Sequence, residues 1–423
     1  MKKRRFFVDT TPIRVSRDYR IIWTASLLSQ VGRQVVVVAM PYQIYVLTHS
    51  SFAVGLLGLL QVGPIVLAGL YGGGLADRFD RRTVQLAGKT LAALGSLALA
   101  MGAIGLRLPV AFVFIVGALA AGAWAVDQSA RAATVPRLVS RELLPSAMGL
   151  SQITLQSAQI AGPALGGAII ATAGLPWAYA ADAIAFVPVA AILFLLSPQP
   201  PAHDSRVTFG WRAPAEALSY VRSHRLIFGI FAADLIATIF GMPTAVFPAL
   251  ALSVFGYGPA VLGLMYAAPG AGALVASVLS GWVGSVDRQG RAVLVAITGW
   301  GLAITGFGLA GRALWLGLPL LALAGGADLV SAIFRGTILQ LSVPDSMRGR
   351  MSAFNSMVVT TGPRLGDLEA GTVAALVNPT FSVVSGGVAT VVGIAVLAAL
   401  LPELRRQRAT AQPHVVTATG ETG

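Results

Sequence analysis

An all-α integral membrane protein, with about twelve spanning helices in two pseudo-symmetric six-helix bundles, is predicted by three observations. Of 423 residues, 56% are hydrophobic and 11% charged, and the mean hydropathy is +0.76, too little polar surface to coat a soluble globule. Apolar runs of about 20 residues, enough to cross a hydrocarbon core of roughly 30 Å, recur along nearly the whole chain. The second half of the sequence also echoes the first.

In order, the runs fall near 20–47, 52–76, 83–106, 109–134, 143–171 and 176–197, then near 225–253, 258–284, 291–311, 313–341, 349–377 and 380–401. The first is too long for the apolar core of a signal peptide and no small-residue cleavage site follows it, so it is expected to remain as a helix. The chain has no cysteine, which excludes disulfides and thiolate metal sites. His49, His203, His224 and His414 all fall in expected loops or tails, which argues against a buried histidine relay.

The formal net charge of +13 is distributed by side. If the helices alternate, "MKKRR", "DRFDRR", Arg137, Arg141, the basic stretch from Arg206 to Arg225, Arg288, Arg291, Arg348, Arg350 and "RRQR" share one face, and only Arg107 and Arg312 lie on the other. This is the positive-inside pattern and predicts both termini in the cytoplasm of a multi-pass cell-membrane protein. It disfavours a nucleic-acid-binding surface. Between the sixth and seventh runs, a proline-rich segment passes into one with Trp211, Ala215, Leu218 and Val221 at helical spacing, read as a short interfacial helix. The expected organisation is an N-terminal segment 1–19, bundles 20–197 and 225–402, a linker 198–224, and a disordered tail 403–423.

"GPALGG" at 162–167 recurs as "GPRLGD" at 362–367, "VPRLVSRELL" as "VPDSMRGRMS", and "GLADRFDRR" more weakly as "GSVDRQGR". Three echoes in one order argue for a duplicated six-helix unit, the plan on which transporters place a solute site between halves near the midplane.

The motif of Gly73, Leu75, Ala76, Asp77, Arg78, Arg81 and Arg82 resembles the loop between the second and third helices of the major facilitator superfamily, with Asp80 where that family has a glycine. Gly162, Pro163, Gly166 and Gly167 resemble the fifth-helix motif of its exporters, with Ala158 in place of a further glycine. "YQIYVLTHSSFAVGLL" followed by "GGLADRFDRRTV" is similar to the branch that holds an enterobactin exporter and macrolide and multidrug efflux proteins. The resemblance implies a monomer that moves a small organic solute, is surrounded by lipid, and has no cofactor and no enzymatic activity. It also implies a conformational latch made by Gly73, Asp77, Arg78, Arg81 and Arg82. At a helix C-terminus a carboxylate is disfavoured by about 0.3–1 kcal/mol, so Asp77 needs a partner. In the family that partner is an arginine together with the N-terminus of the eleventh helix, where Asp345 or Ser346 is expected to cap the first turn. Gly162 and Gly166, four residues apart, suit close helix packing, and Pro163 suits a bend.

Charges inside the spans each cost about 2.5–3.5 kcal/mol at mid-membrane and need partners, water or neutralisation. Candidate proton-coupling acids are Asp234, Asp328, Asp127 and Asp367, and candidate cavity cations are Arg33, Arg131, Arg335 and Arg364. Asp127 and Arg131 are one turn apart and suited to pair with each other. Asp234 has no arginine in its own span, so it ranks first as a proton carrier unless another helix supplies a cation. Asp328 ranks second. Arg33 is expected to bridge to Asp328 or Asp367, or else to favour an anionic solute. Asp182 is expected to be solvated at the outer end of its span. Gln30, Gln34, Tyr42, Trp124, Gln128, Met265 and Phe334 are candidates to line a wide pocket.

"GKT" at 88–90 lacks the leading glycine of a phosphate-binding loop, so an ion gradient, not ATP, is the expected driving force. The sequence therefore predicts a secondary transporter that exports a bulky organic solute by proton antiport with alternating access. Uptake of a nutrient, by proton coupling or uniport, is the alternative in the same class. A receptor or scaffold without flux is the alternative in another class.

Overall fold

Within a bilayer no water satisfies backbone N–H and C=O groups, so apolar stretches of this length close their hydrogen bonds internally as helices. The computed structural model describes residues 9–105, 108–197, 199 and 212–408, with the side chains of 72–77, 133, 212 and 213 outside the description. The first half comprises α1 (Thr11–Val15), α2 (Arg17–Thr48), α3 (Ser51–Arg78), α4 (Arg81–Ile104), α5 (Val110–Leu138), α6 (Leu144–Thr172) and α7 (Leu175–Phe194). After the linker helix α8 (Arg212–Ser223) comes α9 (Arg225–Phe240). It is continued past a 3-10 turn by the one-turn α10 (Phe247–Ala249) and a π turn. Then follow α11 (Pro259–Val278), α12 (Gln289–Ala310), α13 (Leu314–Ser342), α14 (Asp345–Leu376), α15 (Pro379–Leu400) and α16 (Pro402–Arg406).

Among the described residues, ten segments are long and apolar enough to cross a membrane. The helices α6 and α14 are as long as the others and fall outside that set. Gln152, Gln156 and Gln159 dilute the apolar content of α6, and Arg364, Asp367 and Glu369 that of α14. Both lie between the halves, where protein in place of lipid surrounds part of their surface.

The same packing occurs twice. In the first half α2 packs on α6 and α7, α3 on α5, and α4 on α5 and α7. In the second, α9 packs on α14 and α15, α11 on α13, and α12 on α13 and α15. Close glycine contacts fix the register. A methyl group at Gly162 would meet Gln34, one at Gly362 would meet Thr238, and Gly166 and Gly366 sit likewise on Val35 and Ile239. Gly122 lies on Pro64, and Gly326 on Gly272. The echoed hexapeptides therefore occupy matching seats.

Two of these seats join the halves. Gly263 of α11 lies on Gly167 of α6, and Gly55 of α3 lies on the backbone of Asp367 of α14. Tyr45 and Ser253 add a hydroxyl–hydroxyl hydrogen bond of 2.7 Å across the same end. Towards the opposite end, Gly63, Gly69, Gly149, Gly281 and Gly349 have open space where a Cβ would lie. The close glycine contacts between the halves thus lie towards the end bearing Thr48, Ser51 and Thr172 and away from the end bearing Arg78, Arg81 and Asp345.

At the end bearing Arg78 and Asp345, α8 docks on the second half, burying Ala217 and Val221 with Ile227, Phe231, Leu339, Val343 and Met351. The helix forms where the sequence predicts one, but on a different face: Ala215 and Leu218 are exposed, and Trp211 lies outside the described residues. The expected disordered tail begins instead as α16, whose Leu404 is fully buried against α9 and α12. Residues 409–423 lie outside the description.

Candidate functional site

Three clusters of charge lie within the spanning helices. In the second half, Arg335 of α13 reaches Asp234 of α9 at 2.7 Å and Asp328 of its own helix at 3.8 Å, and donates to Ser331 Oγ at 3.1 Å. Another helix therefore supplies the cation that Asp234 lacks in its own span. The Asp234 carboxylate is 5% exposed, while that of Asp328 is 41% exposed and more loosely held.

At the seam, Asp367 occupies the seat that Gly167 fills in the first half. Its Oδ1 accepts hydrogen bonds from the Thr244 hydroxyl and, at 3.0 Å, from the Ala245 N–H, while Arg364 stands 3.9 Å from Oδ2. Tyr266 donates to the Thr244 carbonyl at 2.9 Å and so braces the turn that holds the carboxylate.

The first half contains a cavity of ≈ 140 Å³ between α2, α3, α4, α5 and α7, touched by Arg364 from the other half. Lys89 of α4 crosses it, donating to Asp127 Oδ2 at 2.9 Å and to Ser29 Oγ at 3.0 Å. Asp127 thus pairs with Lys89 and not with Arg131, which lies beside Tyr19 and Trp23 in a separate small pocket. Asp182 is not solvated at an outer end: it lines the cavity and accepts from Ser96 Oγ at 2.7 Å. Arg33 bridges neither Asp328 nor Asp367. Its guanidinium lies over the Trp124 ring, 4.0 Å from the centroid.

Lys89 and Asp182 are the functional candidates that sequence reasoning missed. Lys89 stood inside a rejected phosphate-loop motif, and it is the one lysine inside any of the twelve runs, which was the available signal. Of the pocket candidates, Trp124 lines the cavity. Met265 and Phe334 are fully buried in the second half's core, Tyr42 packs on the main apolar core, and Gln34 is held against Gly162. Gln30 is buried with its Nε2 unpartnered, and Gln128 is half-buried away from the cavity.

Of the expected latch, Gly73 and Asp77 lie outside the residues whose side chains are described. Arg78 is exposed and Arg81 is buried. Arg82 donates to the carbonyls of Phe194 and Leu196, both at 2.9 Å, so it ties α4 to the C-terminal end of α7 within one half, where a cation suits the helix dipole. Asp80, the departure from the family motif, caps α4 by accepting from the Arg82 N–H at 2.8 Å. Asp345 and Ser346 do not cap α14: its N-cap is Pro344, and Asp345 pairs with Arg348 at 2.8 Å inside the first turn.

Two repeated helical halves, closed on each other at one end and holding ionised side chains within the bilayer, define a secondary transporter of the major facilitator type. Solved structures share this fold. A bacterial homologue of the iron transporter ferroportin, inward-facing, aligns with a TM-score of 0.68 at 16% identity, covering 92% of this chain and 99% of that one. A bacterial homologue of the human lysosomal transporter Spinster, inward-facing and unoccupied, gives 0.69 at 17% identity over 94% and 100%. Residues 9–418 match the transmembrane secretion effector family, to which the chain belongs. It is similar to the enterobactin exporter of Citrobacter koseri, 30% identical over 96% of this chain and 97% of that one. It is also similar to the enterobactin exporter of Escherichia coli O6:K15:H31, 29% identical over 99% and 100%. The chain is accordingly a multi-pass inner-membrane transporter and not an enzyme.

Proposed function

We propose that the chain exports a bulky organic solute, siderophore-like or drug-like, in exchange for protons, by rocking of the halves 20–197 and 225–402. In this reading all twelve long helices span the membrane, both termini are cytoplasmic, and the end bearing Arg78 and Asp345 opens to the cytoplasm. The observation that carries it is the seam, where Gly55 on Asp367 and Gly167 on Gly263 bring the halves into backbone contact towards one end. Alternating access needs such a two-state seam. The names of the relatives support export and a siderophore-like solute.

The proton path in this reading runs through the Asp234–Arg335–Asp328 cluster. Arg335 is shared by two carboxylates, one tightly bound and one loosely, so a proton arriving at the more exposed Asp328 leaves Arg335 to Asp234 alone. Loss of that proton restores the competition. Asp127, Asp367, Arg131 and Arg364 remain candidates for charge within the path. Protein reconstituted in liposomes under an imposed pH gradient tests the proposal. Counterflow of solute and protons is expected, with Asp328→Asn uncoupling the two. Solute flux indifferent to the gradient would remove the proton role.

A further inference from the structure

The cavity of the first half is built for a ligand of definite chemistry. The Arg33 guanidinium stacked on Trp124 makes no hydrogen bond or ion pair with any described residue. Stacking covers a planar face and leaves the in-plane N–H edge open, the geometry that grips a carboxylate with two parallel hydrogen bonds. Three further buried polar atoms of the lining have no partner: Trp124 Nε1, Gln61 Oε1 and Asp127 Oδ1. Buried polar atoms are normally satisfied: Trp124 Nε1 is a donor that a carboxylate oxygen fits, while Gln61 Oε1 and Asp127 Oδ1 are acceptors left for a donor such as water. Gln61 and Asp127 are 8% and 6% exposed.

Charge and size narrow the class. Of the three cations in the lining, Lys89 pairs with Asp127 and Arg364 with Asp367 of the seam, and Asp182 is held by the Ser96 hydroxyl, so Arg33 is the one without an ion pair among the described residues. The other walls are apolar, with Val36, Met40 and Leu57 among them. A volume of ≈ 140 Å³ is close to the roughly 150 Å³ of an engineered apolar cavity that accepts benzene. It is large enough for one ring.

We propose that this cavity binds a single aromatic ring bearing a carboxylate, its anion on Arg33 and its ring against the apolar wall beside Trp124. This deepens the export reading and rests on it for the biological role: the group recognised is one arm of a larger solute or a small aryl acid itself.

Equilibrium binding to the full chain in lipid nanodiscs, followed by tryptophan fluorescence without any gradient, tests the site apart from transport. The probes are benzoate, benzamide (ring without charge) and acetate (charge without ring). Benzoate is expected to bind at least about tenfold more tightly than either, the factor that one charge-assisted hydrogen bond supplies. Arg33→Gln is expected to erase the preference over benzamide, and Arg33→Lys to retain part of it. Equal binding of benzoate and benzamide by the unaltered chain overturns the proposal whatever the variants do. Selective benzoate binding unaffected by Arg33→Gln also overturns it. A chain that exports solute from cells yet shows no benzoate preference refutes the site and leaves the export reading standing. One that binds benzoate selectively but moves nothing does the reverse.

Discussion

The two halves share a packing plan and differ in what they place inside it. Aligned through the matching glycine seats and helix starts, Arg33, Lys89, Asp127 and Asp182 of the first half correspond to Ala237, Ile297, Ser331 and Gly386 of the second. Ala237, Ile297 and Ser331 are fully buried and Gly386 sits against the backbone of Phe240, so the space that is a charged cavity in one half is packed protein in the other. Among the charged residues of the spans, only Arg131 and Arg335 keep the same residue type in matching positions. In the first half that arginine makes no ion pair within the described residues; in the second it holds Asp234. A duplicated scaffold has thus been divided into a half with room for a ligand and a half with a tight ion pair.

That division predicts its largest effect in stability. Arg335→Met strands Asp234, 5% exposed, without a cation, which is expected to cost about 3–5 kcal/mol. Lys89→Met strands Asp127 beside a cavity that admits water and is expected to cost less than half as much. Thermal unfolding in detergent, followed by size-exclusion chromatography, checks both. Recovery of stability in Asp234→Asn with Arg335→Gln would assign the loss to the uncompensated charge. Equal losses in the two single variants would break the comparison.

The seam gives the next effect in size. Gly167→Leu inserts a side chain into the backbone of Gly263, and overpacking of this kind costs about 1–3 kcal/mol. Gly63→Ala, facing open space, is expected to be neutral or to stabilise by up to about 1 kcal/mol through helix propensity. The same unfolding measurement ranks them. A Gly167→Leu protein as stable as the parent would mean that the halves do not meet there.

The repeat that underlies these contrasts was legible in one dimension, because backbone contact demands glycine and leaves it at fixed intervals. "GPALGG" and "GPRLGD" landed on equivalent partners, and the apolar runs lie on helices, the seventh of them broken after Phe240 into α9, a 3-10 turn, α10 and a π turn. Ion pairing was not legible. Sequence spacing shows neighbours along one helix, so Asp127 was matched to Arg131, whereas its partner Lys89 comes from another helix altogether. Asp182 was misplaced for a related reason: distance from the end of an apolar run does not say which way a side chain faces, and α7 turns this one onto Ser96 and the cavity. Asp80 could be flagged as a departure from a glycine motif, but its use as a helix cap depends on the two-residue turn between α3 and α4.

A smaller effect separates the two seam contacts from each other. Asp367 carries hydrogen bonds from Thr244 and Ala245 that its counterpart Gly167 lacks. Asp367→Gly makes the contacts alike and is expected to ease opening at that end by about 1–3 kcal/mol. Because the chain has no native cysteine, Ser253→Cys gives a single reporter at the closed end. Its labelling by a membrane-impermeant maleimide is expected to accelerate about tenfold in the Asp367→Gly background. An unchanged rate would show that the carboxylate is not part of the closure.

The smallest effect lies where α8 covers α9 and α14, as the shorter α1 covers α2 and α6 in the first half. Glu216 of α8 pairs with Arg350 of α14 at 2.9 Å, but the two side chains are 38% and 47% exposed. Exposed pairs are worth about 0–1 kcal/mol, so Glu216→Gln is expected to be close to silent in thermal unfolding. Val221 is 4% exposed against Phe231 and Met351, and its truncation to alanine removes two buried methyl groups, expected to cost about 1.5–3 kcal/mol. Limited proteolysis between residues 198 and 212, upstream of α8, reports its release: faster cleavage in Val221→Ala with no change in Glu216→Gln is the expected pair of results. If the order were reversed, charge and not apolar burial would hold α8 down.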